Sequence, residues 1–410
     1  MNVILSIYAC EPNKGSEKGL GWNYAINLSN YCQLFILTEK ENKIAIEDAL
    51  ESLTLKYRPI FYYIDIGSDR IREMCWNQGD WRFYYFYNRW QKQALKVALS
   101  IASSTQIDLI HQLNMIGYRE PGYLWKIPDV PFVWGPVGGL GRIPLSFLKK
   151  FPRKVALFYL FKNILNGINL YNPRLKKVAS RSDLILSATK EGGQRLENKF
   201  SKKIIVFNET GASPESYISL DKDFDGLFKI IWVGKILARK ELNLAIEIIA
   251  EIKKKTNKFE FHIVGDGVNI DYSKELSKKL EVDSNCIWHG FTPRKEVIRL
   301  MKQSDVNLFT SLDEGTPHVV LESLSVGLPV ICHDACGQGS VIDVTCGVKV
   351  PVKNPEYSKK EFCEIILNLI NNSELLEDLR NGAKNRANAL SWENKALELY
   401  NYYIDVKNYE

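Results

Sequence analysis

The chain alternates between two hydrophobic periods. Short runs rich in β-branched and aromatic residues (NVILSIYA, QLFILTE, PIFYYIDI, IDLIHQL, PFVWG, DLILSAT and KIIVFN) read as strands. Segments such as NKIAIEDALES and QKQALKVALSIASS keep the 3.6-residue period and read as helices between them. This alternation predicts a parallel sheet covered by helices. A polar passage, NETGASPESYISLDKDFDG at 208–226, interrupts it. The pattern then restarts with FKIIWVGK, LNLAIEIIAEIKKK, FEFHIVGDG, NCIWHG, DVNLFTS and LPVICHD. The expected architecture is α/β, with two Rossmann-like β/α/β domains, 1–212 and 213–390, facing each other across a cleft. An amphipathic stretch at 391–410 is expected to form a helix that packs back on the first domain. Ligands of such sheets bind beyond the carboxyl ends of the strands, so the cleft is the expected site.

Composition agrees with this. The 410 residues suit two domains of roughly 200 each. A hydrophobic fraction of 45% with 25% charged residues is that of a soluble globular protein. No run reaches the roughly 18 apolar residues of a membrane span. The start, MNVILSIYACEPN, lacks a basic leader region and passes straight into a strand pattern, so a cytoplasmic location is expected. The eight cysteines lie mostly in apolar contexts that suit reduced, buried thiols. The cluster Cys332-His333-Asp334-Ala335-Cys336 lacks a second paired spacing, which favours core and loop thiols over a zinc site.

Charge is distributed unevenly. The net value is +6, yet from Arg142 to Ser182 the chain carries lysines and arginines with no acid. FPRKVALFYLFKNIL lies within this stretch, and WNQGDWRFYYFYNRW (Trp76 to Trp90) lies upstream. Bases interleaved with Trp, Tyr and Phe suit an anionic membrane surface, with a solvated helix over an aromatic core as the alternative. No nucleic-acid-binding module accompanies the charge, so no nucleic acid partner is expected.

The stretch SLDEGTPHVVLESLSVGLPVI at 311–331 carries the most chemistry. Thr316 suits an N-cap, Pro317 the first helical position and Gly327 the stop, which predicts a helix over about 317–326. Its amide end then points at Glu314 and Gly315, a geometry that favours phosphate. Glu322, inside the helix, is placed to accept hydrogen bonds from a vicinal diol such as a ribose. In WVGKILARKEL, Gly234 turns the chain after a strand and Lys235 and Lys240 flank the loop, ready to neutralise a diphosphate. VGDG, with Gly265, is a tight turn after the next strand. The first domain has its own glycine-bearing loop after its first strand, including Gly19. His111 ends the strand-like IDLIH and is either a ligand contact or a satisfied core side chain. His318 and Glu322 share a helical face at i, i+4, too few groups for a metal site.

Taken together these pieces resemble the family 4 glycosyltransferases of GT-B fold. The likeness rests on the two glutamates in EGTPHVVLESLSVGLPV, on GKILARK, VGDG and WHGFTPRKEV, and on YACEPNKGSEKGLGW, HQLNMIGYREPGYLW and WGPVGG. It implies a retaining transferase that uses a nucleotide-diphosphate sugar and no metal or other cofactor. By the resemblance, Glu322 holds the ribose and Glu314 the transferred sugar, while the backbone of Gly315, Thr316, Pro317 and His318 lines the donor site, with the amides of Gly315, Thr316 and His318 facing sugar and phosphate oxygens and Pro317, which has no N–H, giving none. Lys235 and Lys240 stabilise the leaving diphosphate, with Gly234 and Gly265 lining the donor site. Gly19 lies against the diphosphate from the other domain, and His111 touches the sugar. Lys235 stands where the family usually has Arg, which keeps the charge and loses the bidentate fork. The implied acceptor is a lipid-linked saccharide of cell-surface polysaccharide synthesis, with the enzyme peripheral at the inner face of the membrane. A sugar-nucleotide epimerase and a non-catalytic nucleotide-sugar-binding subunit are the alternatives.

Overall fold

Seven parallel strands form the first sheet of the computed structural model, which describes residues 1–67, 82–115, 117–213, 226–315 and 318–408. They are β1 (Asn2–Ser6), β2 (Gln33–Glu39), β3 (Ile60–Ile64), β4 (Leu109–Gln112), β5 (Phe132–Val137), β6 (Leu184–Ser187) and β7 (Ile205–Val206), in the order β3-β2-β1-β4-β5-β6-β7. Their near-continuous hydrophobic runs follow from burial on both faces. Ile4 and Ile110 enter one core cluster, whereas Val3, Leu5 and Leu109 enter another on the alternate side chains. The intervening helices are α1 (Ser16–Leu28), α2 (Lys43–Glu51), α3 (Arg82–Ser104), α4 (Leu145–Leu148), α5 (Arg153–Ile168), α6 (Pro173–Arg181) and α7 (Lys190–Phe200).

The second sheet is also parallel, in the order β10-β9-β8-β11-β12-β13. Its strands are β8 (Phe228–Val233), β9 (Phe259–Val264), β10 (Cys286–Gly290), β11 (Val306–Phe309), β12 (Val330–His333) and β13 (Gly347–Val350). Around it run α8 (Leu242–Lys253), α9 (Ile270–Lys279), α10 (Arg294–Gln303), α11 (His318–Ser325), α12 (Cys336–Val341), α13 (Pro355–Asn371) and α14 (Ser373–Ala389). The chain closes with α15 (Trp392–Asn408).

Two compact units result. The first comprises Met1–Leu140, Gly167–Thr210 and Trp392–Glu410, and the second Gly141–Asn166 with Gly211–Ser391. The final helix therefore joins the amino-terminal unit, as the sequence predicts. Trp392 meets Tyr24 of α1 edge-on with ring centroids 5.3 Å apart, and Lys407 binds Asp108 at 2.7 Å. The boundary expected at 212/213 falls at 210/211. One segment corrects the expected division: Gly141–Asn166, assigned by linear order to the first domain, packs in the second unit. The reason is hydrophobic: Ile143, Phe147 and Leu148 enter the same core as Trp232, Ile236 and Leu312. The aromatic stretch at 76–90 also divides. Trp76 and Trp81 lie outside the described residues, while Phe83, Tyr87 and Trp90 are core and Tyr84 and Tyr85 are exposed.

Candidate functional site

Strand order reverses once in each sheet, between β1 and β4 in the first and between β8 and β11 in the second. Loops leaving two such neighbours run in opposite directions, and the gap between them is where open α/β sheets bind ligands. In the second unit these loops are the lysine loop after β8 and the Glu314 loop after β11. Lys235, Lys240 and Glu314, singled out from sequence, thus lie on the two loops at this point of the sheet.

The two loops are bound tightly together. Lys240 Nζ lies 2.5 Å from Glu314 Oε1, and the same oxygen accepts from Arg239. Arg239 also donates to the Asp313 carbonyl at 2.5 Å, and the Leu312 amide returns a bond to the Arg239 carbonyl at 2.9 Å. Thr310 Oγ1 sits 2.9 Å from the carbonyls of both Lys240 and Glu241, and it accepts from Trp232 Nε1 at 3.2 Å. Ser311 Oγ donates to Glu314 Oε1 at 3.2 Å. Burial holds the Lys240 ammonium below the ordinary lysine pKa, with Glu314 opposing that shift. The site therefore holds a carboxylate between two cations, one of them largely desolvated.

Glycines let the backbone close up beneath this pair. A Cβ on Gly265, whose φ is +137°, would lie 1.9 Å from the Gly234 carbonyl oxygen. The Gly234 amide bonds the Val264 carbonyl at 3.0 Å, and the Gly265 amide bonds the Gly290 carbonyl at 2.8 Å. Gly234 and Gly265 thus lie against each other at the ends of β8 and β9.

The remaining predicted positions lie partly on these loops and partly away from them. Lys235 is exposed on the same loop. Gly315 is exposed beside Glu314, and Thr316 and Pro317 lie outside the described residues. His318 opens α11, and burial holds its imidazole below the ordinary value against the opposing charge of Glu314. Glu322, one turn further along, accepts from Arg294 Nε of α10 at 2.7 Å. Gly19 is buried in α1, where a Cβ would come within 2.0 Å of the Lys14 carbonyl oxygen, so its own loop already requires glycine there.

His111 requires a correction. The side chain is wholly buried in the first unit, with Nε2 2.6 Å from the Gly135 carbonyl and Nδ1 2.5 Å from the Tyr403 hydroxyl. A carbonyl only accepts, so Nε2 carries the proton and Tyr403 donates to Nδ1. Burial pushes the imidazole down to about 3, keeping it neutral. With both nitrogens engaged inside the protein, His111 ties α15 to the first sheet and is not a sugar contact. His333 is likewise core: it is buried, with its nitrogens 3.1 Å from the Thr310 carbonyl and 3.0 Å from Ser358 Oγ. Among the described residues no three His, Cys, Asp or Glu side chains group as metal ligands.

Three structural features near these loops are not read from the sequence. Arg239 is one, although its signal was present as a third base in GKILARK. A second is the ion pair of Lys162 with Asp313 at 2.6 Å, which ties α5 to the Glu314 loop across 151 positions. The third is Glu17, which accepts from the Met115 amide at 3.4 Å where the β1 and β4 loops diverge. Burial raises its carboxyl above the ordinary range. Asn13 before α1, Ser16 at its first position and Met115 after β4 all take positive φ, an uncommon concentration for residues other than glycine.

The chain also resembles known proteins. Residues 221–386 match the family model of glycosyl transferases group 1. An uncharacterized glycosyltransferase of Methanocaldococcus jannaschii is 27% identical over 218 residues, which cover 48% of this chain and 52% of that protein. The lipopolysaccharide glucosyltransferase WaaG of Escherichia coli is 29% identical over 149 residues, 36% of this chain and 38% of that one. The chain therefore aligns with about half or less of the length of these curated relatives. Among solved structures, a glycosyltransferase from Rickettsia africae aligns with 99% of the chain and 98% of its own at a TM-score of 0.62 and 14% identity. The lipopolysaccharide outer core galactosyltransferase WaaB aligns with 99% and 100%, at a TM-score of 0.59 and 16% identity. At such identity the likeness speaks for the fold, which is GT-B, with two Rossmann-like units.

Proposed function

We propose that the protein is a retaining glycosyltransferase of family 4 that moves a sugar from a nucleotide-diphosphate donor to a saccharide acceptor carried on a lipid. The observation that carries this reading is the meeting of Lys240, Arg239 and Glu314 at the point where the strand order of the second sheet reverses. A sugar nucleotide presents a diphosphate, which needs preorganised positive charge as it departs, and sugar hydroxyls, which need a carboxylate acceptor. Lys240 and Lys235 meet the diphosphate, Glu314 the transferred sugar, and Glu322 the ribose.

Glu314 is already hydrogen-bonded and ion-paired on one oxygen, which suits a binding carboxylate better than an attacking one. The leaving phosphate oxygen then takes the acceptor proton as the sugar passes to the same face, so configuration is retained. Charge stabilisation by the lysines supplies the catalysis, and no metal is given a step. The acid-free basic stretch from Arg142 to Ser182 supports work at the cytoplasmic face of a membrane, where a lipid-linked acceptor of surface polysaccharide synthesis is held.

Isothermal titration of nucleoside diphosphates, followed by release of free sugar from a panel of sugar nucleotides, tests the donor assignment. One nucleotide binding to the wild type and at least tenfold more weakly to Glu322→Ala supports it. No binding by any nucleoside diphosphate overturns it.

A further inference from the structure

Helix α5 is amphipathic with its polarity inverted. Tyr159 and Ala156 pack against the core of the second unit, and the polar side chains of its carboxyl-terminal half also face the protein. Lys162 pairs with Asp313, Asn163 Nδ2 donates to the Ile143 carbonyl at 2.8 Å, and the buried Asn166 donates to the Gly141 carbonyl at 3.0 Å. The opposite face carries Leu157, Phe161, Ile164 and Ile168, spaced by four, three and four residues, with Phe158 beside them. These five residues are 51% to 65% exposed. A helix of a soluble protein normally turns such a stripe inward, so a contiguous exposed one marks an interaction surface.

We infer that this outward face of α5 docks the protein in the plane of an anionic lipid bilayer. The inference deepens the proposed transferase reading by naming the surface that meets the membrane carrying its acceptor. Charge selects the occupant. Arg142, Lys149, Arg153 and Lys154 are exposed in and just before the helix, and no acid occurs anywhere between Arg142 and Ser182. A second copy of this face offers no carboxylate to those bases, whereas anionic headgroups offer one at every position along the helix. The stripe also has no hydroxyl, amide or acid with which to recognise a protein partner.

Length fixes the mode of binding. Sixteen residues make a helix of about 24 Å, shorter than a bilayer core, so α5 lies in the interface and does not cross it. Arg153 and Lys154 in its first turn reach the headgroups while the leucine, phenylalanine and isoleucine side chains enter the acyl boundary. The opposite face, through Lys162, holds the loop that carries Asp313 and Glu314. Docking by α5 therefore places the donor-site loop one helix diameter from the lipid surface, about 10 Å.

Cosedimentation with vesicles of phosphatidylglycerol and phosphatidylcholine, against phosphatidylcholine alone, tests this. The wild type should bind the anionic vesicles. Leu157→Ser with Phe161→Ser should reduce partitioning at least tenfold, while Val344→Ser, at another exposed apolar position, should not. Arg153→Glu with Lys154→Glu should reduce it similarly at low salt, which keeps the test decisive if the apolar variant folds poorly. Nucleotide binding in solution should be unchanged in all of them, so a failed docking experiment is separable from a failed donor assignment. Absence of vesicle binding by the wild type overturns the proposal, as does equal binding by both double variants. A wild-type dimer that Leu157→Ser with Phe161→Ser converts to a monomer, without any loss of lipid binding, also overturns it.

Discussion

Lys240 and Glu314 lie 2.5 Å apart on the two loops that diverge where the second sheet reverses its strand order. Their side chains keep only 11% and 12% of their surface exposed. A lysine removed from water to this degree has lost much of its hydration and retains its charge through Glu314. On the proposed function, a diphosphate would meet a cation already positioned, with little further desolvation required.

Lys240→Ala should reduce kcat/KM by roughly 2 to 4 kcal/mol of transition-state stabilisation, the scale of one preorganised charge contact. The wild-type rate should also fall on the alkaline side at a pH below 10.5, because burial depresses this ammonium. Steady-state kinetics across pH checks both. A wild-type kcat/KM in the folded variant would remove Lys240 from the diphosphate site.

Lys235→Arg should be tolerated or increase activity. The side chain is exposed on the loop, and a guanidinium restores the two-pronged contact with phosphate that an ammonium lacks. Comparison of kcat/KM with that of Lys235→Ala, which should be lower than wild type, separates charge from geometry.

The two glutamates should divide the work. Glu322→Ala is expected to raise KM for the donor with little change in kcat, because ribose is bound equally in ground and transition states. Glu314→Ala is expected to lower kcat, because the group it holds is the one that reacts. Equal shifts of both constants in both variants would show that the residues are not divided in this way. Arg294→Ala, which frees Glu322 from its 2.7 Å partner, should alter donor KM and leave kcat in place.

Much of the fold was legible because both sheets are buried on two faces, which leaves uniform hydrophobic runs whose boundaries stand out. Twelve strand-like runs coincide with β1 to β12. The short GVKV of β13, polar at its third position, gives no such run. Glu314, Lys240, Gly234 and Gly265 were legible because strand, turn and helix start are local patterns. What stayed hidden is pairing at a distance. No local pattern joins Lys162 to Asp313 or His111 to Tyr403, which are 151 and 292 positions apart. Helix α5 shows a further limit: periodicity reveals that an apolar stripe exists but not which side faces the protein.

Gly265→Ala should destabilise the second unit by more than about 2 kcal/mol. The new methyl would meet the Gly234 carbonyl oxygen at 1.9 Å, and the residue would be held at a φ of +137° that side chains avoid. Gly226→Ala, also at positive φ but with nothing within 4 Å of its Cβ among the described residues, should cost only the backbone strain. Chemical denaturation of the two variants separates steric closure from conformation. Similar losses in both would mean that the close approach of the two strand ends is easily relieved.

Acid should destabilise the first unit through His111. In the folded chain burial pushes this imidazole down to about 3, whereas an unfolded histidine titrates near 6.5. Between those values the unfolded state binds a proton that the folded state refuses. The stability contribution is therefore fully present above pH 6.5 and is lost as pH falls through the window toward 3. The slope is about 1.4 kcal/mol per pH unit for one such group. His333, pushed down to about 4, adds a parallel loss in the second unit. Urea melts at successive pH values should show stability falling below pH 6.5. His111→Gln should begin less stable, since it breaks the bridge between Gly135 and Tyr403, yet show a shallower decline because it has no proton to take up. Tyr403→Phe should cost about 1 to 3 kcal/mol at neutral pH by leaving Nδ1 buried without a donor. If His111→Gln declines as steeply as the wild type, acid sensitivity arises from other groups and the buried imidazole is not its source.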